Sequence, residues 1–251
     1  MIELDKVAKR YGDGWAVRGV SLTIKAGELV AVLGESGSGK TTVVKMINRL
    51  IEPDDGTVRV DGKDARAQDP VALRRTIGYV IQHAGLFPHF TLADNVALVP
   101  RLLAWNEADV QKRVDELLAL VGLAPAEYRH RFPDQLSGGQ RQRVGVARAL
   151  AAKPRVLLLD EPFGALDPIT RTSLQGELRK IHKDLGLTTV MVTHDLVEAL
   201  TLADRIAVMK RGELRQVGTP SELVKSPADD YVAELMGMVK HQAEQLGAVM
   251  A

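Results

Sequence analysis

Val20, Leu22 and Ile24 alternate with polar neighbours in VSLTIK and predict a strand with one buried face. Leu29 to Leu33 is an unbroken apolar run that ends at Gly34, the pattern of a strand buried on both faces. A helix is predicted from about Gly39 to Leu50, with short strands at GTVRVDG and TIGYVIQ. From about His83 to Ala152 the pattern is mostly helical. There Thr91 and Asp94 have the form of a capping box, and ADVQKRVDELLALVGL keeps helical periodicity as far as Gly122. RVLLLDEP returns to a buried strand, ITRTSLQGELRKIHKDLG reads as a helix, TTVMVTHD as a strand and RIAVMKRGELRQVG as a hairpin. Two short helices follow, the first opened by Thr219, Pro220 and Glu222 as cap, first-turn proline and N3 acid. Strand–helix alternation broken by a helical block predicts a parallel-sheet α/β core with an inserted helical subdomain.

Composition narrows the function classes. The 251 residues carry a formal net charge of +1, so no overall field gathers nucleic acid. Cysteine is absent, which excludes disulfides and thiolate metal sites and agrees with a reducing compartment. The opening MIELDKVAKRYGDGW is acidic in part and lacks the apolar centre of a signal peptide. No apolar run approaches the ~20 residues that cross a bilayer, so work at a membrane requires a partner.

Two helix tips are built for phosphate. GESGSGKTT places Gly34, Gly39, Lys40 and Thr41 in the spacing G-x-x-x-x-G-K-[ST], after a buried strand and at the opening of a helix. Gly34, Gly37 and Gly39 let the loop wind around phosphate oxygens, and Glu35, Ser36, Ser38 and Thr42 complete the stretch. Its N–H groups and the helix N-terminus supply partial positive charge. Lys40 is a mobile full charge for the β- and γ-phosphates, and Thr41 offers a hydroxyl to Mg²⁺. Asp160 ends a buried strand, where open α/β sheets bind ligands, and its carboxylate suits Mg²⁺ through water. Glu161 beside it is placed to orient or deprotonate an attacking water. His194 stands at another strand terminus, within reach of a γ-phosphate, whereas His83, His89, His130, His182 and His241 read as structural or exposed. Gln82 also ends a strand; contact with metal or water and a plain surface position fit it equally. The second tip is LSGGQ, where Ser137 caps a helix and Gly138 and Gly139 leave backbone N–H groups open to an anion.

Taken in order, residues 34–42, Gln82, LSGGQ at 136–140, LLLDEP at 157–162, ALD at 165–167 and His194 resemble the ATP-binding subunit of ABC transporters along nearly the whole chain. The resemblance implies a P-loop NTPase core with an N-terminal β subdomain and an inserted α-helical subdomain. It implies one ATP-binding domain over 1–238, the helical part at about 83–152, and a short tail over 239–251. It also implies Mg-ATP hydrolysis in a head-to-tail dimer with two equal sites. ATP on one P-loop is then closed over by Ser137, Gly138, Gly139 and Gln140 of the other subunit, which explains the second tip. By the same resemblance Asp167 lies at the dimer seam and Tyr11 stacks on adenine, though a turn aromatic after the first strand fits Tyr11 equally. Gln82 joins Thr41 and Asp160 around Mg²⁺.

A narrower resemblance lies in MINRLIEPDDGTVRVDGKD, GYVIQHAGLFPHFTLADNVALVP and PFGALDPITR, which are similar to ATPases of glycine betaine, carnitine and choline importers. It implies a membrane permease, an extracytoplasmic binding protein, and a place on the cytoplasmic side of the membrane. Residues 85–88, Gly-Leu-Phe-Pro, then either meet the permease or pack within the subdomain. Importers of polar amino acids share similar stretches and form the alternative. A soluble ABC ATPase of DNA repair or translation is the rival from another class, and the charge balance gives it no support. Intact Lys40, Asp160, Glu161 and His194 count against a non-catalytic regulatory cassette. Many betaine-group cassettes continue into paired regulatory domains, for which the sequence to Ala251 leaves no room; the expectation is regulation without them, or a shortened form of a longer chain.

Overall fold

The structure, a computed structural model, describes residues 2–82, 84–164 and 166–250; His83 and Ala165, both singled out above, lie outside them. Two units are distinguished, Met1–Arg66 with Val190–Ala251, and Ala67–Thr189.

The first unit holds β1 (Ile2–Tyr11), β2 (Gly14–Ile24), β3 (Leu29–Leu33), α1 (Lys40–Ile47), β4 (Asp55–Val60) and β5 (Lys63–Asp64). It resumes within β8 (Thr188–Thr193) and continues through α8 (Leu196–Leu202), β9 (Arg205–Lys210), β10 (Glu213–Gly218), α9 (Pro220–Lys225) and α10 (Asp230–Met250). One sheet has the order β2-β1-β4-β5, with β1 antiparallel to both neighbours. Val20, Leu22 and Ile24 of β2 are buried while Ser21 and Thr23 between them are exposed, as the alternation predicts. A second sheet continues β10-β9-β3-β8, with β3 parallel to β9. β3 thus has a neighbour on each edge, and all its residues are buried, which is why its sequence is apolar without alternation.

The second unit holds α2 (Pro70–Thr76), β6 (Ile77–Val80), α3 (Leu92–Leu102), α4 (Glu107–Leu120), α5 (Pro125–Tyr128), α6 (Gly138–Leu150), β7 (Val156–Asp160) and α7 (Pro168–Leu185). β6 and β7 pair in parallel, and β7 is buried throughout. Asp69, Thr91, Asn106, Ser137 and Asp167 each accept a backbone hydrogen bond at a helix start, so polar residues set the helix boundaries. Gly186, with φ of 59°, closes α7 in the left-handed conformation. His182 is buried, with Nδ1 2.9 Å from Thr189 Oγ1, a structural role; His89, His130 and His241 are exposed.

Four elements depart from the sequence expectation. α1 ends at Ile47 rather than near Leu50, because Arg49 has a φ of 49° and leaves the helical region. α2 and α8 are additional helices, each started by an aspartate, Asp69 and Asp195. α10 is not short: it runs 21 residues and takes in the expected tail from residue 239. No proline interrupts it, and an isolated glycine such as Gly237 costs about 1 kcal/mol without ending a helix.

Candidate nucleotide site

In the first unit the P-loop follows directly from the burial of β3. At Gly34 a side chain has no room, since a Cβ would overlap the Met209 carbonyl and lie 2.7 Å from Ser38 Oγ. Gly39 has a φ of 100°, and a Cβ there would overlap the Ala16 carbonyl. The chain therefore turns tightly into α1, whose first turn has neither a capping side chain nor an acidic residue. Its leading N–H groups keep their preference for an anion. The Gly212 N–H donates to Ser38 O at 3.1 Å, which ties the loop to the turn between β9 and β10. Lys40 is buried, and its ammonium donates to Gly34 O at 2.7 Å and Glu35 O at 2.8 Å. The lysine is thus folded over its own loop and held on two of the loop's carbonyls. Glu35, Ser36 and Gly37 are exposed at the rim, Thr41 and Thr42 half-buried behind them.

Tyr11 ends β1 with 53% of its surface exposed, enough for a planar group to stack on it. Across the same hairpin Trp15 carries the Arg10 guanidinium 4.6 Å from its ring centre, an aromatic the sequence reading did not single out. His194 is exposed just beyond β8. The bend that carries it is fixed by neighbours the sequence reading also missed. Thr193 Oγ1 donates to the buried Glu198 carboxylate at 2.7 Å and accepts from Asp195 N at 2.9 Å. Asp195 in turn caps α8 through the Glu198 N–H at 3.1 Å.

In the second unit β7 delivers Asp160, buried, at its carboxyl end. The Tyr79 hydroxyl lies 3.4 Å from Asp160 Oδ2; burial first, then the aspartate's charge, pushes the Tyr79 phenol above its ordinary range. Glu161 follows with a φ of 48°, an unusual conformation for a non-glycine residue, and it turns away from the strand line. The Gln82 side-chain amide donates to Glu161 Oε2 at 3.1 Å. Gln82 and Glu161 therefore meet, which sequence separation could not reveal.

At the second tip, Ser137 and Gly138 are exposed while Leu136 and Gly139 are buried. Gly139 packs on α7, where a Cβ would overlap Thr170 Cγ2. Gln140 faces its own chain: Oε1 accepts from Ser137 N at 3.0 Å, and Nε2 reaches the Tyr128 hydroxyl at 3.1 Å. Ser137 Oγ returns the contact by accepting from Gln140 N at 3.3 Å, completing a capping box. Asp167 caps α7, and hydrogen bonding with Thr170 holds its carboxyl below the usual range.

Thr41, Gln82 and Asp160 offer a hydroxyl, an amide oxygen and a carboxylate, hard oxygen donors that suit Mg²⁺. Among the described residues no three His, Cys, Asp or Glu side chains gather as a metal cage.

A tight glycine loop on a buried strand, a lysine folded over it, and a second glycine tip on a capped helix define a nucleotide-binding cassette. A family model described as ABC transporter matches residues 17–164, and the chain belongs to that family. It is 56% identical over 238 residues to the choline transport ATP-binding protein OpuBA of Bacillus subtilis, covering 94% of this chain and 62% of that protein. It is 51% identical over 237 residues to the glycine betaine uptake system ATP-binding protein YehX of Escherichia coli, covering 94% of this chain and 77% of that one. The dimeric structure of the ATP-binding cassette MJ0796, bound to ADP and phosphate, superposes with a TM-score of 0.80 at 36% identity, over 88% of this chain and 99% of that one. The chain thus spans about three fifths of OpuBA's length. Among the described residues no helix is long and apolar enough to cross a membrane.

Proposed function

We propose that the chain binds and hydrolyses Mg-ATP and so powers import of a quaternary-ammonium osmoprotectant, of the glycine betaine, carnitine or choline type, through a membrane permease. The observation that carries the ATPase reading is the buried Lys40 ammonium held on the carbonyls of its own glycine loop. A triphosphate offers that ammonium stronger, charged acceptors than Gly34 O and Glu35 O. The substrate class rests on what OpuBA and YehX are named for.

In this reading Lys40 and the amides of residues 34–42 hold the phosphate chain, and Tyr11 stacks on adenine. Thr41, Gln82 and Asp160 hold Mg²⁺, which when bound neutralises charge on phosphate oxygens. Glu161 orients and deprotonates the attacking water, and His194 holds the γ-phosphate. Ser137, Gly138 and Gly139 of a second copy close the site, with Asp167 at the seam, in a head-to-tail dimer; the MJ0796 cassette is likewise dimeric. ATP binding and hydrolysis shift the dimer between closed and open states, each favouring a different permease arrangement. The permease docks on the apolar segment after Gln82, where Phe87 and Phe90 are exposed with ring centres 5.3 Å apart. The chain itself need not touch the transported compound. It works at the cytoplasmic membrane face beside the permease, which receives substrate from an extracytoplasmic binding protein.

Two measurements test this. Purified protein with Mg-ATP releases phosphate, and Glu161→Gln slows release by roughly 10²–10⁴-fold while still binding ATP. In cells, labelled glycine betaine uptake after a salt upshift disappears with the same substitution. Rapid turnover by Glu161→Gln sinks the catalytic assignment; unchanged uptake, with no other betaine carrier present, removes the osmolyte.

A further inference from the structure

One side chain of α6 holds the segment that follows Gln82. Arg148 donates through Nη1 to Gly85 O at 2.7 Å and through Nη2 to Ala84 O at 2.6 Å. Ala84 and Gly85 both have positive φ, 61° and 55°. An alanine held there costs roughly 1–3 kcal/mol and persists only where its surroundings over-determine it. The surroundings do so. Ala84 is buried against α6 at Gly145, where a Cβ would come within 3.1 Å of the Ala84 methyl. The guanidinium is half-buried and, among the described residues, pairs with no carboxylate; burial lowers its pKa. Its charge is spent on two backbone carbonyls, with the Phe87 ring 5.9 Å away.

The far end of the segment is held as firmly. Asn95 of α3, fully buried, accepts from Phe87 N at 2.8 Å. Its amide donates to the carbonyls of Phe87, Phe90 and Thr91 at 3.0–3.3 Å. On the inner side Ala84 N donates to Ile81 O at 3.0 Å, closing a turn around Gln82. Gln82 then reaches Glu161 at 3.1 Å. A continuous path therefore runs from the exposed Phe87 and Phe90 rings, through two pinned carbonyls, to the carboxylate assigned to the attacking water.

We propose that Arg148 is a positioning residue for hydrolysis: by fixing Ala84 and Gly85 to α6, it sets how Gln82 meets Glu161. A displacement at Phe87 is then delivered to Glu161 instead of being absorbed by the loop. This rests on the ATPase reading above. A lysine cannot replace the fork, because one ammonium has no planar pair of donors for two carbonyls.

The test is a double-mutant cycle on phosphate release by the whole chain with Mg-ATP, using Arg148→Lys and Gln82→Ala, with Tm measured in parallel. Arg148→Lys is expected to lower kcat about tenfold, with KM for ATP changed less than twofold. In the Gln82→Ala background the same substitution adds less than a twofold change, while its Tm loss is equal in both backgrounds. If Arg148→Lys does not fold, Arg148→Gln takes its place in the cycle. Unchanged kcat, or an equal loss with and without Gln82, overturns the proposal and leaves the ATPase reading standing. A wild-type chain that does not hydrolyse ATP refutes both.

Discussion

The Lys40 ammonium and the Gly34 carbonyl, 2.7 Å apart, close the P-loop on itself across six residues. The lysine is therefore held within the loop rather than extended from it. Replacing it with methionine removes a charge-assisted bond of about 1.5–3 kcal/mol to any phosphate that takes its place. ATP affinity should fall roughly 10–100-fold for Lys40→Met, read by calorimetric titration. An affinity within twofold of wild type would show that the loop amides suffice.

Gly139 is placed by packing as well as by chemistry. Gly139→Ala drives a methyl into Thr170 Cγ2 and should destabilise the chain by about 1–3 kcal/mol. Thr170→Ser removes that methyl, so the double variant should recover most of the loss in urea unfolding. A double variant no better than Gly139→Ala would mean the strain lies in the backbone.

Thr193 holds the bend beneath His194. Thr193→Val keeps the shape but takes a donor from the buried Glu198 carboxylate and an acceptor from Asp195 N. The expected cost is about 1–3 kcal/mol, with hydrolysis reduced further than stability alone explains. An unchanged urea midpoint would contradict the role given to this hydroxyl.

Asp94 gives an acid dependence. Its bond with the Thr91 hydroxyl, and next its bond with Arg101, hold its carboxyl below the ordinary 3.8. A lowered carboxylate contributes stability above its unfolded-state value and loses it as the pH falls through the folded value. Stability should decline below about pH 4, and Asp94→Asn should flatten that part of the curve. Thermal unfolding between pH 3 and 6 (a range set by the ordinary carboxylate value) decides the matter, and identical slopes would remove Asp94 from the account.

What the sequence made legible was local. The apolar run of β3 with its closing glycine, the Thr91, Ser137 and Thr219 caps, and the alternation of β2 all rest on residues a few positions apart. What it hid was distant or conformational. Arg148 meets Ala84 across 64 residues, and Gln82 meets Glu161 across 79. No spacing rule reaches that far. Gln140 shows a different limit: within a motif associated with a ligand, its amide serves its own helix start and Tyr128. α10 is longer than expected because residues 230–250 hold no proline and their isolated glycines do not end it.

With Leu136 and Gly139 buried and Gln140 half-buried against its own chain, Ser137 and Gly138 are the motif's exposed face. In the proposed dimer, that face is a hydroxyl and a bare backbone, which carry almost no information about whose chain they belong to. A cell that makes several such subunits therefore has no means in this tip to keep them apart. Fidelity of assembly must be written elsewhere, on surfaces that differ from one subunit to the next. Exchanging whole tips between two such subunits should leave their pairing preferences untouched, and mass spectrometry of mixed, ATP-locked subunits would show a change if the tip were the label.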